Sequence, residues 1–222
     1  MNTLNFIKQN SGQCLKLTLE HLFIVGIALA IALFIGIAAG VLITRHEPTA
    51  KRVINLANIL MTIPSIALFG LMLPLLSPFG QGMGKVPAVI ALVLYSQLPI
   101  IRNTYTAIKN VPPEIIDAGR GMGMSPWRLL REVEIPLAVP VILAGLRTAA
   151  VMSIGIAAIA AYIGAGGLGV LIQQGIDQAY DAKVLAGAVL VALLAIVVDA
   201  TTAGIEWLAT PKGLKVERKT GQ

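Results

Sequence analysis

"LFIVGIALAIALFIGIAAGVLI", residues 22–43, contains no charged side chain. A helix needs about 20 apolar residues to cross the hydrocarbon layer of a bilayer, and this run is long enough. It exceeds the roughly 7–15 apolar residues of a signal-peptide core, and Arg45 and His46 follow it directly, so it reads as a retained membrane helix. Gly36 and Gly40 lie one turn apart within it, a small-xxx-small pattern that lets helices pack closely. The rest of the chain has the same character. Of 222 residues 56% are hydrophobic and 13% charged, and the mean hydropathy is +0.82. That composition excludes an ordinary soluble domain. The single cysteine, Cys14, allows no intramolecular disulfide and no metal-ligand spacing.

Five transmembrane helices are expected, at about 22–43, 53–76, 86–101, 137–163 and 184–208, the second carrying Pro64 and Pro74. The fold class is therefore an all-α integral membrane protein. Ahead of the first span, residues 1–21 form an external segment. Within it Phe6 to His21, with Leu15, Leu19 and Leu22 at helical spacing, predicts an interfacial helix.

Lys and Arg divide between the two sides. Arg45, Lys51, Arg52, Arg102, Lys109, Arg120, Arg128, Arg131, Lys212, Lys215, Arg218 and Lys219 fall in one set of segments; Lys8, Lys16, Lys85 and Lys183 fall in the other. Cytoplasmic loops carry the excess of basic residues, so the N-terminus is expected outside, and residues 209–222 form a cytoplasmic tail. The net charge of +6 has the same origin. Nucleic acid is not implied.

One long polar run interrupts the hydrocarbon: "DAGRGMGMSPWRLLREVEIP", Asp117 to Pro136, inside an expected cytoplasmic loop at 108–136. Pro112 and Pro113 end the preceding helix and start another. Glu114 and Asp117 suit the positive N-terminus of that helix, and Arg128 and Arg131 the end of a second. Gly121 and Gly123 separate the two, and Pro136 marks return to the membrane.

Asp117-Ala118-Gly119, then Gly123, then Val133-Glu134-Ile135-Pro136 resembles the EAA motif of ABC-importer permeases. Asp stands for Glu, Gly119 for the second Ala, and Val133 and Ile135 for Ile and Leu. The resemblance implies a MetI-like ABC permease fold whose loop is a coupling helix seated on a cytoplasmic ATPase. Ala118 and Gly119 would permit close approach there, Gly123 would supply the bend, and Met124 and Trp127 would be apolar anchors. "YIGAGGLGVLIQQGI", Tyr162 to Ile176, and "LKLTLEHLFIVGIALAIALFIGIAAG", from Leu15, resemble the osmoprotectant subfamily, for glycine betaine, choline and carnitine. The similarity covers about Leu15 to Leu208. Methionine-type permeases share the five-helix layout and part of the glycine run, and so remain an alternative.

In such a system two permease subunits, identical or homologous, enclose the path in the bacterial cytoplasmic membrane. An ATPase dimer holds ATP and Mg, an extracytoplasmic binding protein delivers the solute, and this chain binds no cofactor and is not an enzyme. An ion-coupled carrier is the rival from another class, but no internal repeat is visible and Asp199 is the only deep acid. A non-transporting membrane scaffold is the third.

Gly164, Gly166 and Gly169 match G-x-G-x-x-G, but a membrane helix precedes them where a dinucleotide site needs a strand. With Gly167 they read as a turn at the outer surface. His21 and His46 lack an i, i+4 partner and read as interfacial side chains; no metal site is expected. Arg147 and Asp199 lie within spans at similar depth, roughly 15–18 Å from the cytoplasmic end. A charge near the bilayer centre costs about 2.5–3.5 kcal/mol on insertion scales, so both should face protein or a water-filled cavity; an intramembrane ion pair is one reading, and a place for one or both on the translocation path is its rival. Ser65, Tyr95, Gln97, Asn103 and Ser153 are polar candidates for the translocation path.

Overall fold

Residues 2–210 are described in a computed structural model, and among them helices account for all regular secondary structure. Lys212, Lys215, Arg218 and Lys219 lie outside the described residues.

Four helical stretches have the length and apolarity to cross a membrane. They are α2 (Ser11–Ile43), α5 (Lys85–Lys109), the stretch Pro126–Ile163 with α8 (Ile135–Ile159) at its centre, and α10 (Asp181–Ala209). The second expected span differs. It is two helices, α3 (Glu47–Thr62) and α4 (Ser65–Leu76), and the bent pair turns through 98° at Ile63–Pro64. Pro64 has no N–H to give a helix and forces the residue before it out of the helical region; Ile63 has φ −67° and ψ 126°. At 1.5 Å per residue, α3 is about 24 Å and α4 about 18 Å long. Only as a pair do they match the thickness of the hydrocarbon layer. The break leaves the Ile63 carbonyl without a helical partner, and the Tyr95 hydroxyl of α5 donates to it. Removing that donor by Tyr95→Phe should cost about 1–3 kcal/mol, the penalty of an orphaned polar group. Thermal unfolding of the detergent-solubilised chain measures it.

The helix expected over Phe6–His21 is divided at Asn10. A short α1 (Thr3–Gln9) stands alone, while residues 11–21 are the first turns of α2 itself. Phe6 packs edge-on to Tyr180 with ring centroids 5.8 Å apart, which ties α1 to the start of α10.

α5 is the central helix. Ala28, Ala32, Gly36 and Gly40 repeat every four residues on α2 and are all buried. The missing side chains let α5 in: a Cβ on Gly40 would stand 2.5 Å from Thr104 Cβ, and one on Gly36 2.7 Å from an Ile100 methyl. On the opposite flank, a Cβ on Gly145 of α8 would lie 2.8 Å from the Pro99 carbonyl. Small residues thus bring the backbones of α2, α5 and α8 close without help from a hydrophobic effect, which lipid does not provide. α5 also extends eight residues past the expected end at 101, so that its last turns carry Tyr105 and Lys109.

The helix ends sort into two groups. At one end lie Ile43–Glu47, Lys109 and the 113–134 segment; at the other, His21, Gly84 and residues 163–168, where the Gly84 N–H donates to Ile163 O at 2.7 Å.

Candidate functional site

At the first of these ends the sequence builds its turns from local signals. α6 (Pro113–Gly121) closes at Gly123, which has φ +78°. The Gly123 N–H donates to Arg120 O and the Met124 N–H to Gly119 O, the paired bonds of a left-handed helix stop. Ser125 then caps α7 (Pro126–Leu129) by accepting from the Arg128 N–H at 3.3 Å, with Pro126 at its first position. α7 does not end near Arg131 as expected. Residues Leu130–Glu134 form a π-helical turn that runs into α8, so Pro136 sits inside a continuous helix. It follows closely on that π-helical turn, where the regular i→i−4 ladder is already interrupted.

The loop therefore projects as a helix–bend–helix, with a cavity of about 300 Å³ behind it lined by Arg45, Lys109, Asp117, Arg120 and Glu134. One ion pair ties it to the spans: Arg45 is 3.8 Å from the buried Glu134. Arg120, 3.5 Å from Asp117, pairs within α6, and Lys109, 3.0 Å from Glu47, joins α5 to α3 beside it. Glu47 also accepts from the Tyr105 hydroxyl at 2.8 Å. These bonds, Lys109 first and Tyr105 second, hold its carboxyl below the usual carboxylate range.

The side chains on this projection are not all placed as expected. Asp117, Ala118 and Trp127 are exposed. Gly119 is buried, facing Leu129 and Met124 of its own loop. Met124 is half-buried beneath α6, whereas Met122 is 73% exposed, Trp127 69% and Ile115 40%. Met122 went unrecognised; it closes α6, one residue before the Gly123 bend.

At the opposite end Gly164, Gly166 and Gly167 all have positive φ, between 76° and 88°, a backbone that glycine adopts without strain. Gly169 is different: it is the first residue of α9 (Gly169–Asp177). The histidine expected at the interface is fully buried here. The Leu168 N–H donates to His21 Nδ1 at 3.2 Å, which places the proton on Nε2, and Nε2 donates to Ile154 O at 3.1 Å. Glu20 accepts from the Gly167 N–H at 3.4 Å. His21 thus pins the glycine turn to α8. His46 has a local task, accepting from the Thr49 N–H to cap α3.

Within the spans, Arg147 donates from Nε and Nη2 to the two oxygens of Asp199 at 2.5 and 2.6 Å. The pair lines a cavity of about 510 Å³ between α8 and α10. The other polar candidates are scattered. Ser153 is hydrogen-bonded to Ser96 at 3.1 Å, Gln97 and Asn103 donate to their own helix at Val93 and Pro99, and Ser65 starts α4. Tyr95 serves the Ile63 carbonyl. Neither cavity is lined by any of them.

Comparison with known proteins matches this architecture. The family model for the binding-protein-dependent transport system inner membrane component fits residues 23–206. An osmoprotectant import permease protein of Salmonella typhimurium is 51% identical over 97% of this chain and 100% of its own length. A glycine betaine/carnitine/choline transport system permease protein of Bacillus subtilis is 44% identical over 96% of this chain and 95% of its own. Among solved structures, the inward-facing MetNI methionine ABC transporter superposes with a TM-score of 0.78 at 26% identity, covering 89% of this chain and 96% of the other. An amino acid ABC transporter shares the fold at 20% identity, with a TM-score of 0.73 over 94% and 97%. With a family model spanning most of its length and relatives aligned nearly end to end, this multi-pass membrane chain belongs to the family of inner membrane components of binding-protein-dependent transport systems.

Proposed function

We propose that this chain is the permease subunit of an ATP-driven importer for osmoprotectants of the glycine betaine, choline and carnitine type. The observation that carries the reading is the 51% identity, over 97% of the chain, to a permease named for osmoprotectant import. The end bearing α6 and α7 faces the cytoplasm, where Trp127, Met122, Asp117 and Ala118 seat on an ATPase subunit that holds ATP and Mg. The end bearing the 164–168 turn faces outward, toward a solute-binding protein. A second permease subunit completes the path. ATP binding closes the ATPases and moves α6, which biases the spans between inward and outward access.

The test is reconstitution of the whole complex in vesicles. Radiolabelled glycine betaine should accumulate only when ATP and the binding protein are supplied. Accumulation in the absence of the ATPase would favour an ion-coupled carrier; accumulation of methionine but no quaternary amine would move the chain to the methionine class. Sidedness is read separately. A Met122→Cys variant should react with a membrane-impermeant maleimide from the cytoplasmic face alone.

A further inference from the structure

The Arg147–Asp199 pair is fully formed yet not covered by its own chain. Both donors of the guanidinium fork meet both carboxylate oxygens, the strongest form such a pair takes. The side chains nevertheless remain 38% and 40% exposed. Both line the open-sided 510 Å³ cavity, whose wall also includes Thr148, Val151, Met152 and Glu206. Its volume is within the roughly 300–1,000 Å³ of small-molecule sites. Arg147 stands about 18 Å along α8 from Ile135, and Asp199 about 15 Å from the end of α10, at 1.5 Å per residue. Both are then near the middle of a layer about 30 Å thick. Charges at that depth do not face lipid; they face protein or a water-filled space.

We propose that this pair is a subsite for zwitterionic solutes on the translocation path, which opens so that Arg147 takes a carboxylate while Asp199 takes a trimethylammonium group. The proposal rests on the function proposed above. Its logic is charge exchange: one ion contact within the protein is replaced by two between protein and solute, and no net charge enters the membrane. A quaternary ammonium has no N–H, so it needs only a nearby negative charge and apolar contact for its methyl groups. Asp199 supplies the first, and Val151 and Met152 the second. Arg147 can bind a carboxylate through the same two N–H groups it now gives to Asp199. When the site is empty the pair closes on itself, so neither charge is left to attract a stray ion.

Choline carries the ammonium but a hydroxyl where glycine betaine and carnitine have a carboxylate. That difference is the test. In the reconstituted complex Arg147→Gln should lower uptake of glycine betaine and carnitine at least 10-fold and of choline less than 3-fold, relative to wild type. Asp199→Asn should lower all three. Should Arg147→Gln fail to accumulate, Arg147→Lys carries the same contrast, because it keeps the charge and loses the fork. The contrast is also read without the binding protein. In the permease–ATPase complex with Thr148→Cys and Cys14→Ala, glycine betaine should slow maleimide labelling at least 3-fold more than choline does at equal concentration, and Arg147→Gln should remove the difference. Equal losses for all three solutes, or equal protection by choline and glycine betaine, overturns the subsite and leaves a structural ion pair. If the wild-type complex takes up none of the three under ATP, the proposed function fails instead.

Discussion

Gly169→Ala is expected to leave almost no assembled protein in the membrane. A Cβ at this position would stand 1.9 Å from the Ala158 carbonyl oxygen and 2.7 Å from its carbon. Those atoms are backbone of α8, so no rotamer change relieves the clash; α9 would have to move off α8 as a unit. That motion would disturb the buried Leu168 and Leu171 on either side and the His21 bonds to Leu168 and Ile154. The expected cost exceeds about 4 kcal/mol, a range reached by only a few mechanisms, a backbone clash in a packed core among them. The control is Gly26→Ala on α2, where no atom outside its own helix lies within 4 Å; it should be neutral. Quantitative blotting of membranes, followed by size-exclusion chromatography in detergent, distinguishes the two. Wild-type amounts of the Gly169 variant would contradict the placement of α9 under α8.

This position also marks the boundary of what could be read without coordinates. The glycines of residues 164–169 stood out as a turn, and three of them adopt the positive φ a turn demands. That the fourth is needed for contact and not conformation depends on Ala158, which comes near only after the chain has doubled back. His21 has the same history. Its sequence neighbourhood is that of a helix end near an interface, and its burial is created by Leu168, 147 residues away. Spans were legible for a different reason: hydrocarbon thickness sets a minimum apolar length, and α2, α8 and α10 satisfy it within their own sequence. The second span met the same criterion and was nevertheless broken, because Pro64 permits either a kink or a right-angle turn. The acceptor left at Ile63 is matched by Tyr95 on α5, and that pairing favours the turn. The depth of Arg147 and Asp199 followed from helical rise alone; their shared cavity did not.

Loss of the Trp127 and Met122 side chains should uncouple ATP hydrolysis from transport more completely than any change within the spans. Together with Ile115 these are the exposed large apolar side chains of the α6–α7 segment, and large apolar side chains at the centre of an interface carry most of its affinity. Truncating one such anchor typically costs about 2 kcal/mol or more, a roughly 30-fold loss in binding. Trp127→Ala with Met122→Ala is therefore expected to weaken retention of the ATPase by more than 100-fold and to reduce ATP-driven uptake in proportion. The amount of chain in the membrane should be unchanged, because neither side chain supports the core. Two controls separate docking from folding of the loop. Gly119→Ala should affect docking less than the double alanine variant does, since its Cβ would meet side-chain and not backbone atoms of its own loop, the tip of the buried Leu129 at 2.5 Å and Met124 Sδ at 3.4 Å. Gly123→Val should be more harmful than its size suggests, because φ +78° is a region that β-branched residues avoid; it should reduce ATPase retention by misdirecting α7 and Trp127. Co-purification of the ATPase with each variant in detergent, alongside vesicle uptake, provides the measurement. Full retention in the double alanine variant would mean that the partner grips the charged side of the projection, around Asp117 and Arg120, and that the exposed tryptophan has another use.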